Sequence, residues 1–308
     1  MSDRGSTALA ALVAEAAVGY PPPLVEAIGH PVVWIGRVID RLDGDWNRGS
    51  PRRRRAAGAG AVAVTVALAA GTGWLIERAA GRGSGRLGIV VAATTGLAQR
   101  SLDEHIGAVR APLARGDLHT ARGAVANVVG RDTAELDDRG VALAAIESLA
   151  ESFCDGVVAP AFWLRVGGLP GLFAYKAVNT ADSMIGHRDA RYADFGWAAA
   201  RIDDVLNLLP ARLAGVLVCL AGAGGVATML RDAGAHASPN GGWPEAAMAG
   251  VLGRQLGGPV AYDGEPTWRA TLGDGPLPDA ADLARAIGVY RRACLLLWLV
   301  TGIAQWRR

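Results

Sequence analysis

The sequence predicts an all-α polytopic integral membrane protein, with amphipathic and loop-rich segments on its cytoplasmic side. Of the 308 residues, 51% are hydrophobic and only 19% are charged, and the mean hydropathy is +0.23. Soluble domains carry about 25% charged residues. Several uncharged stretches approach the roughly 20 apolar residues that a membrane-spanning helix needs. The net charge of +2 gives no field strong enough to indicate nucleic-acid binding, so no nucleic-acid partner is predicted.

Hydropathy places four predicted spans along the chain. The strongest covers residues 56–76 and follows the arginines at 52–55, which are typical of a cytoplasmic helix end. The second covers 213–230, whereas 87–98 and 293–306 are short and need help from neighbouring helices. Residues 7–28 are a further candidate. Arginines also follow the first and last spans, so the orientation stays open. We expect one membrane-embedded domain over 1–308, with polar active-site segments at 130–212 and 231–265.

Glycine-rich stretches inside two of these spans match a nucleotide-binding pattern only formally. Residues 58–63 and 222–227 read G-x-G-x-x-A. The dinucleotide fingerprint requires a preceding strand, and no strand is predicted before either stretch. Small residues let membrane helices approach closely, which is the interpretation we prefer.

Polar regions separate the spans. Residues 99–129 read as amphipathic helices, with Leu102, Ile106, Val109 and Leu113 spaced three or four apart. Residues 231–282 are rich in glycine and proline and are predicted to form a structured loop.

An acidic stripe is the first candidate functional feature. In the stretch AAIESLAESFCDG, Glu147, Glu151 and Asp155 have helical i, i+4, i+8 spacing, which puts three carboxylates on one face. Like charges at this spacing repel each other. The next residues, VVAPAFWL, are apolar, so the carboxylates are expected beside an apolar wall. Placing an ionised acid near a membrane costs free energy unless the acid is paired or binds a cation. This favours metal or substrate binding over a purely structural role.

The segment 170–217 adds a second polar constellation. Tyr175, Asn179 and Asp182 share one helical face, and Asp203 and Asn207 form an i, i+4 pair. Carboxylate and amide oxygens suit Mg²⁺, which keeps water or phosphate oxygens among its ligands. The predicted metal ligands are therefore Glu147, Glu151, Asp155, Asp203 and Asp204. Phosphate binding is predicted for Lys176, Arg191, Arg201 and Arg212, although a helix-end charge is the alternative for each arginine.

Familiar hydrolase and nucleotidase motifs are missing from the sequence. It has no H-E-x-x-H pair, no G-x-S-x-G elbow and no phosphate-binding loop ending in lysine. The residues themselves predict a membrane protein that handles a phosphorylated or anionic substrate with Mg²⁺.

Longer motifs resemble one known family. The stretches HPVVWIGRVIDRLD, VGRDTAELDD, ESFCDGVVAPAFW, YKAVNTADSMIGHRDARYADFGWAAARIDDVLNLLPARL and SPNGGWPEAAMAGVLGRQLGGPVAYDGE are similar to the adenosylcobinamide-phosphate synthase family of cobalamin biosynthesis, in that family's order. The resemblance implies an integral membrane enzyme of the cell membrane. That enzyme would join adenosylcobyric acid, a corrinoid, to the amino alcohol (R)-1-aminopropan-2-ol or its O-phosphate through an amide bond, with ATP and Mg²⁺.

The resemblance carries over to named polar positions. These are His30, Arg37, Asp40, Arg131, Asp132, Glu147, Ser148, Glu151, Asp155, Tyr175, Asn179, Asp182, Ser183, Arg191, Arg201, Asp203, Asp204, Arg212, Ser238, Asn240, Glu245, Tyr262 and Glu265. We assign the roles ourselves. Glu151 is predicted to be catalytic, and Asp182 or His187 to take a proton from the attacking ammonium. His30, Asn179, Asn240 and Glu245 are predicted to bind substrate.

The chain departs from the family pattern at a few positions. Gly19, Tyr20 and Pro21 stand where the family commonly has Gly-Asp-Pro, which puts a role for that aspartate in doubt. Phe153, Cys154 and Trp243 replace residues of the usual pattern and are interpreted as packing variation.

Two other functions stay open on the residues alone. A Mg²⁺-dependent phosphoalcohol transferase would also use clustered aspartates near spans, but with a nucleotide-linked lipid. A transporter would use the same acids as a relay and should show paired repeats, which the sequence lacks. A membrane partner or a second copy of the chain as part of the site is also left open.

Overall fold

A computed structural model describes residues 2–20, 26, 29–81, 85–262 and 264–306. The α-helices, in chain order, are α1 (Ser2–Val18), α2 (Pro31–Trp46), α3 (Pro51–Ala80), α4 (Arg86–Thr94), α5 (Gln99–Leu113), α6 (Leu118–Ala126), α7 (Asp138–Phe153), α8 (Ala159–Ile185), α9 (Trp197–Gly222), α10 (Val226–Asp232), α11 (Gly242–Leu252) and α12 (Ala280–Trp306). A π-helical turn, Cys154–Val158, joins α7 to α8, and a short 3₁₀ turn, Ala233–Ala235, follows α10. The strands β1 (Leu256–Tyr262) and β2 (Glu265–Leu272) pair antiparallel. The predicted all-α membrane class is confirmed.

Four helical segments of the described chain are long and apolar enough to cross a membrane. They are Pro51–Ala80, Asp138–Ile185, Trp197–Gly222 and Ala280–Ile303. The predicted spans 56–76 and 293–306 fall on α3 and α12, respectively. The segment Asp138–Ile185 was not among the predicted spans, because its acidic residues interrupt the hydropathy pattern.

The other predicted spans differ from the structure. The span 213–230 has wrong bounds, because α9 ends at Gly222 and the left-handed backbone of Ala223 and Gly225 separates it from α10. The span 87–98 corresponds to α4, whose nine residues are too few for a crossing. Of the candidate 7–28, the structure shows the 17-residue helix α1, while 21–25 and 27–28 lie outside the described residues.

The chain divides into two compact units, and the single membrane-embedded domain stays a prediction. The first comprises Met1–Ala98, Ala159–Asn207 and Thr301–Arg308. In it α3 packs along α8, and α2 packs on both. The buried core of this unit includes Ile39, Val62, Val178 and Phe195. Burial of such side chains contributes about 1.5–3 kcal/mol each.

Glycine allows close packing at the two stretches that match the nucleotide-binding pattern. A Cβ atom at Gly58 of α3 would lie 1.8 Å from the carbonyl oxygen of Phe195. A Cβ at Gly222, in the second unit, would lie 2.2 Å from a methyl group of Val251. Both glycines lie in helices rather than after strands, which supports the interpretation that they serve helix packing.

Helix α8 changes direction at Gly168. This residue has a left-handed φ of +66°, which glycine adopts at low cost. The break leaves backbone N–H groups without helical partners, and the N–H of Leu169 donates to Oε1 of Glu77 at 2.8 Å. Pro170 follows and has no N–H to satisfy. Glu77 of α3 therefore caps the second part of α8.

The second unit comprises Gln99–Val158 and Leu208–Val300. The predicted amphipathic helices are confirmed as α5 and α6. Leu102, Ile106, Val109 and Leu113 are all buried, as their spacing predicts. Helices α5, α6 and α11 pack around α7, so α7 lies at the centre of this unit. Its residues from Val141 to Ala150 are all buried.

The prediction of a structured loop over 231–282 is wrong. This region contains α11, which is buried on nearly all sides, and the β1–β2 hairpin. An Asp-Gly pair at 263–264 lies between the strands, and Gly264 has a φ of +79°. Such a pair between strands is a strong hairpin signal. The glycines at 257 and 258 concealed the strand pattern, because glycine weakens strand propensity.

Candidate functional site

Glu147 is the centre of a buried polar cluster in the second unit. Its side chain, on α7, is only 3% exposed. One carboxylate oxygen accepts the N–H of Gly257 at 2.7 Å, and the other pairs with the guanidinium groups of Arg131 and Arg269. A buried carboxylate is stable only with this degree of compensation.

Arg269 of β2 links Glu147 to a second buried carboxylate. Its Nη1 lies 3.1 Å from Oε2 of Glu147, and its Nη2 lies 3.0 Å from Oε1 of Glu245 on α11. The same Nη2 is 2.8 Å from Nε2 of His236. Two arginines, Arg131 and Arg269, thus balance two carboxylates, and the hairpin is fixed to α7 and α11 by charge-assisted hydrogen bonds.

Glu151 lies one turn after Glu147 on α7 but differs from it in exposure and in hydrogen bonding. Its side chain is exposed, and among the described residues it makes no hydrogen bond or ion pair. Glu147, Glu245, Arg269 and His236 all act on it electrostatically, so it belongs to the same cluster. Its negative charge is the one that Arg131 and Arg269 do not balance. An accessible carboxylate beside a fully engaged network can bind a cation or take a proton.

Asp155 does not continue the regular helical stripe that the sequence predicted. Helix α7 ends at Phe153, and Asp155 lies in the π-helical turn with a half-buried side chain. The wider turn changes the direction of the residues that follow, so the i+8 spacing no longer defines one face. Such turns occur frequently at functional sites.

His236 has two alternative partners in the cluster. Its Nε2 lies 2.8 Å from Nη2 of Arg269, which requires a neutral acceptor nitrogen, and 3.4 Å from Oε1 of Glu245, which favours a protonated ring. Burial lowers the pKa of His236, but the hydrogen bond with Glu245 and the negative charge of Glu245 outweigh it and raise the pKa above its ordinary value. Protonation would also offset the charge of Glu151.

We predict that His236 makes folding stability depend on pH. Since the folded-state pKa is raised, the protonated ring stabilises the protein fully below the ordinary value near 6.5. This stabilisation is lost as the pH rises through the raised folded-state pKa. Unfolding midpoints between pH 5 and pH 9 should therefore fall with rising pH on the alkaline side, and His236→Gln should flatten that slope. An identical slope in the variant would contradict the prediction. His119→Gln, at an exposed position, is the control.

A second polar cluster, in the first unit, joins α8 to α9. The carboxylate of Asp203 accepts hydrogen bonds from Asn207 at 2.9 Å and from Asn179 at 3.5 Å. The Nζ of Lys176 donates to Oδ1 of Asn179 at 3.1 Å, and the hydroxyl of Tyr175 donates to Asn207 at 3.1 Å. The structure therefore brings the predicted Lys176, Asn179 and Asp203 together.

Several other predicted residues form hydrogen bonds or ion pairs within the first unit. His30 caps α2, where its Nδ1 accepts the N–H of Val32, and burial together with the charge of Lys176 lowers its pKa. The guanidinium of Arg191 pairs with Asp43 at 2.5 Å, and that of Arg201 lies 3.8 Å from Asp204. Neither arginine belongs to the cluster around Asp203.

The predicted proton acceptors lie at the end of α8. Asp182 is half-buried in its last turn, and the backbone N–H of Gly186 donates to the carbonyl oxygen of Asp182 at 2.7 Å. His187 is exposed just beyond the helix, with its ring 6.3 Å from that of Tyr192.

Two predicted substrate-binding residues lie in the second unit near α11. Arg212 stacks on the ring of Trp243 with 4.5 Å to the centroid, and also donates to the carbonyl of Leu208. The buried Asn240 lies at the turn before α11, where its N–H donates to Ser238. The stacking gives Trp243 a role beyond packing variation.

The predicted metal ligands do not form a preassembled cluster. No group of three or more His, Cys, Asp or Glu side chains in the described ranges could hold a metal ion. Glu147 is occupied by two arginines, and both oxygens of Asp203 accept amide hydrogens. Glu151 is exposed and makes no ion pair with the described residues, which suits Mg²⁺, a cation that binds through one or two carboxylates together with phosphate oxygens.

Sequence reasoning missed Arg269 and His236. Arg269 lies in a strand that was predicted as loop, and the alternation of polar residues at 265, 267 and 269 was its only signal. His236 precedes a turn and has no second histidine at helical spacing, so nothing in the sequence marked it. Arg131 was noted in the family resemblance but without a role.

Comparison with known proteins connects this geometry to a family. The sequence profile described as CobD/Cbib protein matches residues 8–290, which include both polar clusters. The chain belongs to the CobD/Cbib family. Among CobD/Cbib relatives, the cobalamin biosynthesis protein CobD of Rhodobacter capsulatus is 48% identical over 292 residues, 93% of each chain. The proteins of the same name from Brucella suis and Rhizobium meliloti are 43% and 44% identical, and cover 95% and 93% of this chain and 93% and 92% of their own length. No solved structure matches this CobD/Cbib chain.

Proposed function

We propose that this chain is an ATP-dependent acid–amine ligase of cobalamin biosynthesis. It joins adenosylcobyric acid to (R)-1-aminopropan-2-ol or its O-phosphate and gives adenosylcobinamide or its phosphate. The observation that carries the proposal is the CobD/Cbib match over residues 8–290. Relatives that are named for cobalamin biosynthesis align with this chain over nearly their whole length. The four apolar segments support a multi-pass membrane protein. Its location in the cell membrane, with the site facing the cytoplasm, is part of the proposal.

Amide formation places two demands on the site. A carboxylate does not react with an amine at neutral pH, and ATP with Mg²⁺ would supply the activation of the acid. The residues must therefore hold a cation near phosphate groups, and they must take a proton from the ammonium, since only the free amine is nucleophilic.

Glu151 is the residue that would hold Mg²⁺. It is exposed, makes no hydrogen bond or ion pair with another described side chain, and carries the unbalanced charge of its cluster. The neighbouring carboxylate of Glu147 does not compete for the cation, because it is paired with Arg131 and Arg269. Buried ion pairs of this kind fix the position of the helix turn that presents Glu151.

Proton removal is assigned to Asp182 or His187, and phosphate binding to Lys176. The half-buried Lys176 ammonium donates to Asn179, and its positive charge would attract a phosphate oxygen. These residue roles are the ones predicted from the sequence, and they are part of the proposal.

An assay of the purified protein in detergent tests the reaction directly. The mixture would contain adenosylcobyric acid, aminopropanol with or without phosphate, ATP and Mg²⁺, and the product would be followed by mass. We expect the amide product, with consumption of ATP. Corrinoid binding without product would refute the single-chain ligase and indicate a required partner. Failure to bind corrinoid, combined with transfer of the phospholipid group from a nucleotide-linked lipid to an alcohol and release of the nucleoside monophosphate, would instead support the transferase.

A further inference from the structure

A cavity in the first unit lies apart from both polar clusters. Its volume is about 460 Å³, in the range of small-molecule binding sites. Helices α2, α3, α4 and α8 contribute its walls, with Trp34, Leu68, Val91 and Phe173 among the large side chains. No charged residue of the described chain lines it.

The polar atoms in the cavity wall are satisfied by the protein itself. Three threonines line the cavity, and each hydroxyl donates at 2.8 Å to a backbone carbonyl three or four residues earlier. Thr65 donates to Ala61, Thr72 to Leu68 and Thr95 to Ala92. The hydroxyl of Tyr20 donates to the carbonyl of Gly29. Since these donors are used, the wall presents mainly methyl and aromatic surface. A polar ligand would lose its hydrogen bonds to water without replacement.

The cavity is open to the medium that surrounds α3. Trp34, Leu68 and Val91 line it and are 45%, 56% and 56% exposed. The segment Pro51–Ala80 is a candidate membrane span, and the lining residues Thr65, Leu68, Ala69 and Thr72 lie inside it, away from both ends. In a bilayer the medium at that depth is hydrocarbon. A flexible hydrocarbon chain therefore reaches the opening without crossing a polar region.

We infer that this cavity binds one acyl chain of a bilayer phospholipid. Hydrocarbon is favoured by the size of the cavity, by the satisfied hydroxyl groups in its wall and by the lack of charge there. It is also favoured by the opening of the cavity beside a candidate membrane-spanning helix. The corrinoid and nucleotide of the proposed reaction are polar and do not match these walls. The inference is independent of the proposed function.

Two glycines provide a matched pair of variants. Gly88 lines the cavity, and Gly71 lies on α3 outside it. A Cβ atom at either position would meet no other atom within 4 Å, and neither residue has a left-handed backbone. A side chain can therefore begin at either position without a clash at Cβ, and only Gly88→Leu adds bulk beside the cavity. Ala69→Leu fills it from the opposite helix.

The test uses a phosphatidylcholine with a diazirine at the end of one acyl chain. Trace amounts of this lipid are added to the purified protein in detergent, and the sample is irradiated at increasing concentrations of unlabelled phosphatidylcholine. The labelled residues are then mapped by mass spectrometry. We expect saturable labelling of residues 65–76 and 88–95. Gly88→Leu and Ala69→Leu should weaken it at least about tenfold, which corresponds to about 1.4 kcal/mol. Gly71→Leu should match the unaltered protein.

Three results would overturn the inference. Labelling that does not saturate and is unchanged in Gly88→Leu would show only general exposure to lipid. Competition by free fatty acid at far lower concentration than phosphatidylcholine would identify another ligand. Protection of the cavity by adenosylcobyric acid would assign it to the corrinoid. Unchanged unfolding midpoints in the variants would show that any loss of labelling is not a loss of fold.

Discussion

Replacing Glu151 by Gln is expected to lower the rate of amide formation by about 10²-fold or more, the size of effect seen when one group that stabilises a transition state is removed. Glutamine keeps the size of the side chain but removes its charge, so it binds Mg²⁺ poorly. Because Glu151 makes no hydrogen bond or ion pair with the described residues, the unfolding midpoint should not fall.

The Mg²⁺ dependence separates this role from a general effect on activity. In Glu151→Gln the Mg²⁺ concentration for half-maximal rate should rise, and Glu151→Asp, which keeps the carboxylate, should recover part of the activity. Glu104→Gln is the control, since Glu104 is an exposed glutamate of the same unit, paired with Arg100 on its own helix. Full activity of Glu151→Gln would remove Glu151 from the site. A lower rate with unchanged Mg²⁺ dependence would remove it as the metal ligand.

Replacing Arg269 by Met is expected to destabilise the protein by about 3–5 kcal/mol, the cost of breaking a buried ion pair by removing one partner. Glu147 and Glu245, which are 3% and 1% exposed, would both lose their shared guanidinium. Unfolding by SDS in mixed micelles would measure the difference. Where the variant does not accumulate, the double variant Arg269→Met with Glu245→Gln should restore part of the stability, because it also removes a buried charge.

Arg231 offers a matched control for Arg269. It too contacts two carboxylates, with Arg231 Nε 2.6 Å from Asp232 Oδ1 and Arg231 Nη1 2.7 Å from Asp274 Oδ2, but its side chain is 54% exposed. Exposed pairs contribute about 0–1 kcal/mol, so Arg231→Met should have a small effect. Equal destabilisation by the two substitutions would contradict the argument that burial, rather than the number of contacts, determines the cost.

Local spacing was sufficient to predict parts of the site. Glu147 and Glu151 do occupy successive turns of one helix, as the i, i+4 pattern indicates. Lys176 and Asn179 do share a face of α8, and Asp203 and Asn207 do form the expected i, i+4 pair on α9, because helical periodicity places each on a definite face. What periodicity could not reveal is that Glu147 is neutralised by two arginines, which makes it part of the scaffold and not a ligand.

The sequence by itself determined the membrane class, the amphipathic α5, and the family, because composition, helical period and long motifs are properties of local segments. Only the tertiary structure decided which carboxylate remains available. The partners of Glu147 come from residues 131, 257 and 269, and the contact with residue 269 joins positions 122 apart in the chain. Contacts over such distances depend on how a hairpin packs on a helix, which no spacing rule encodes.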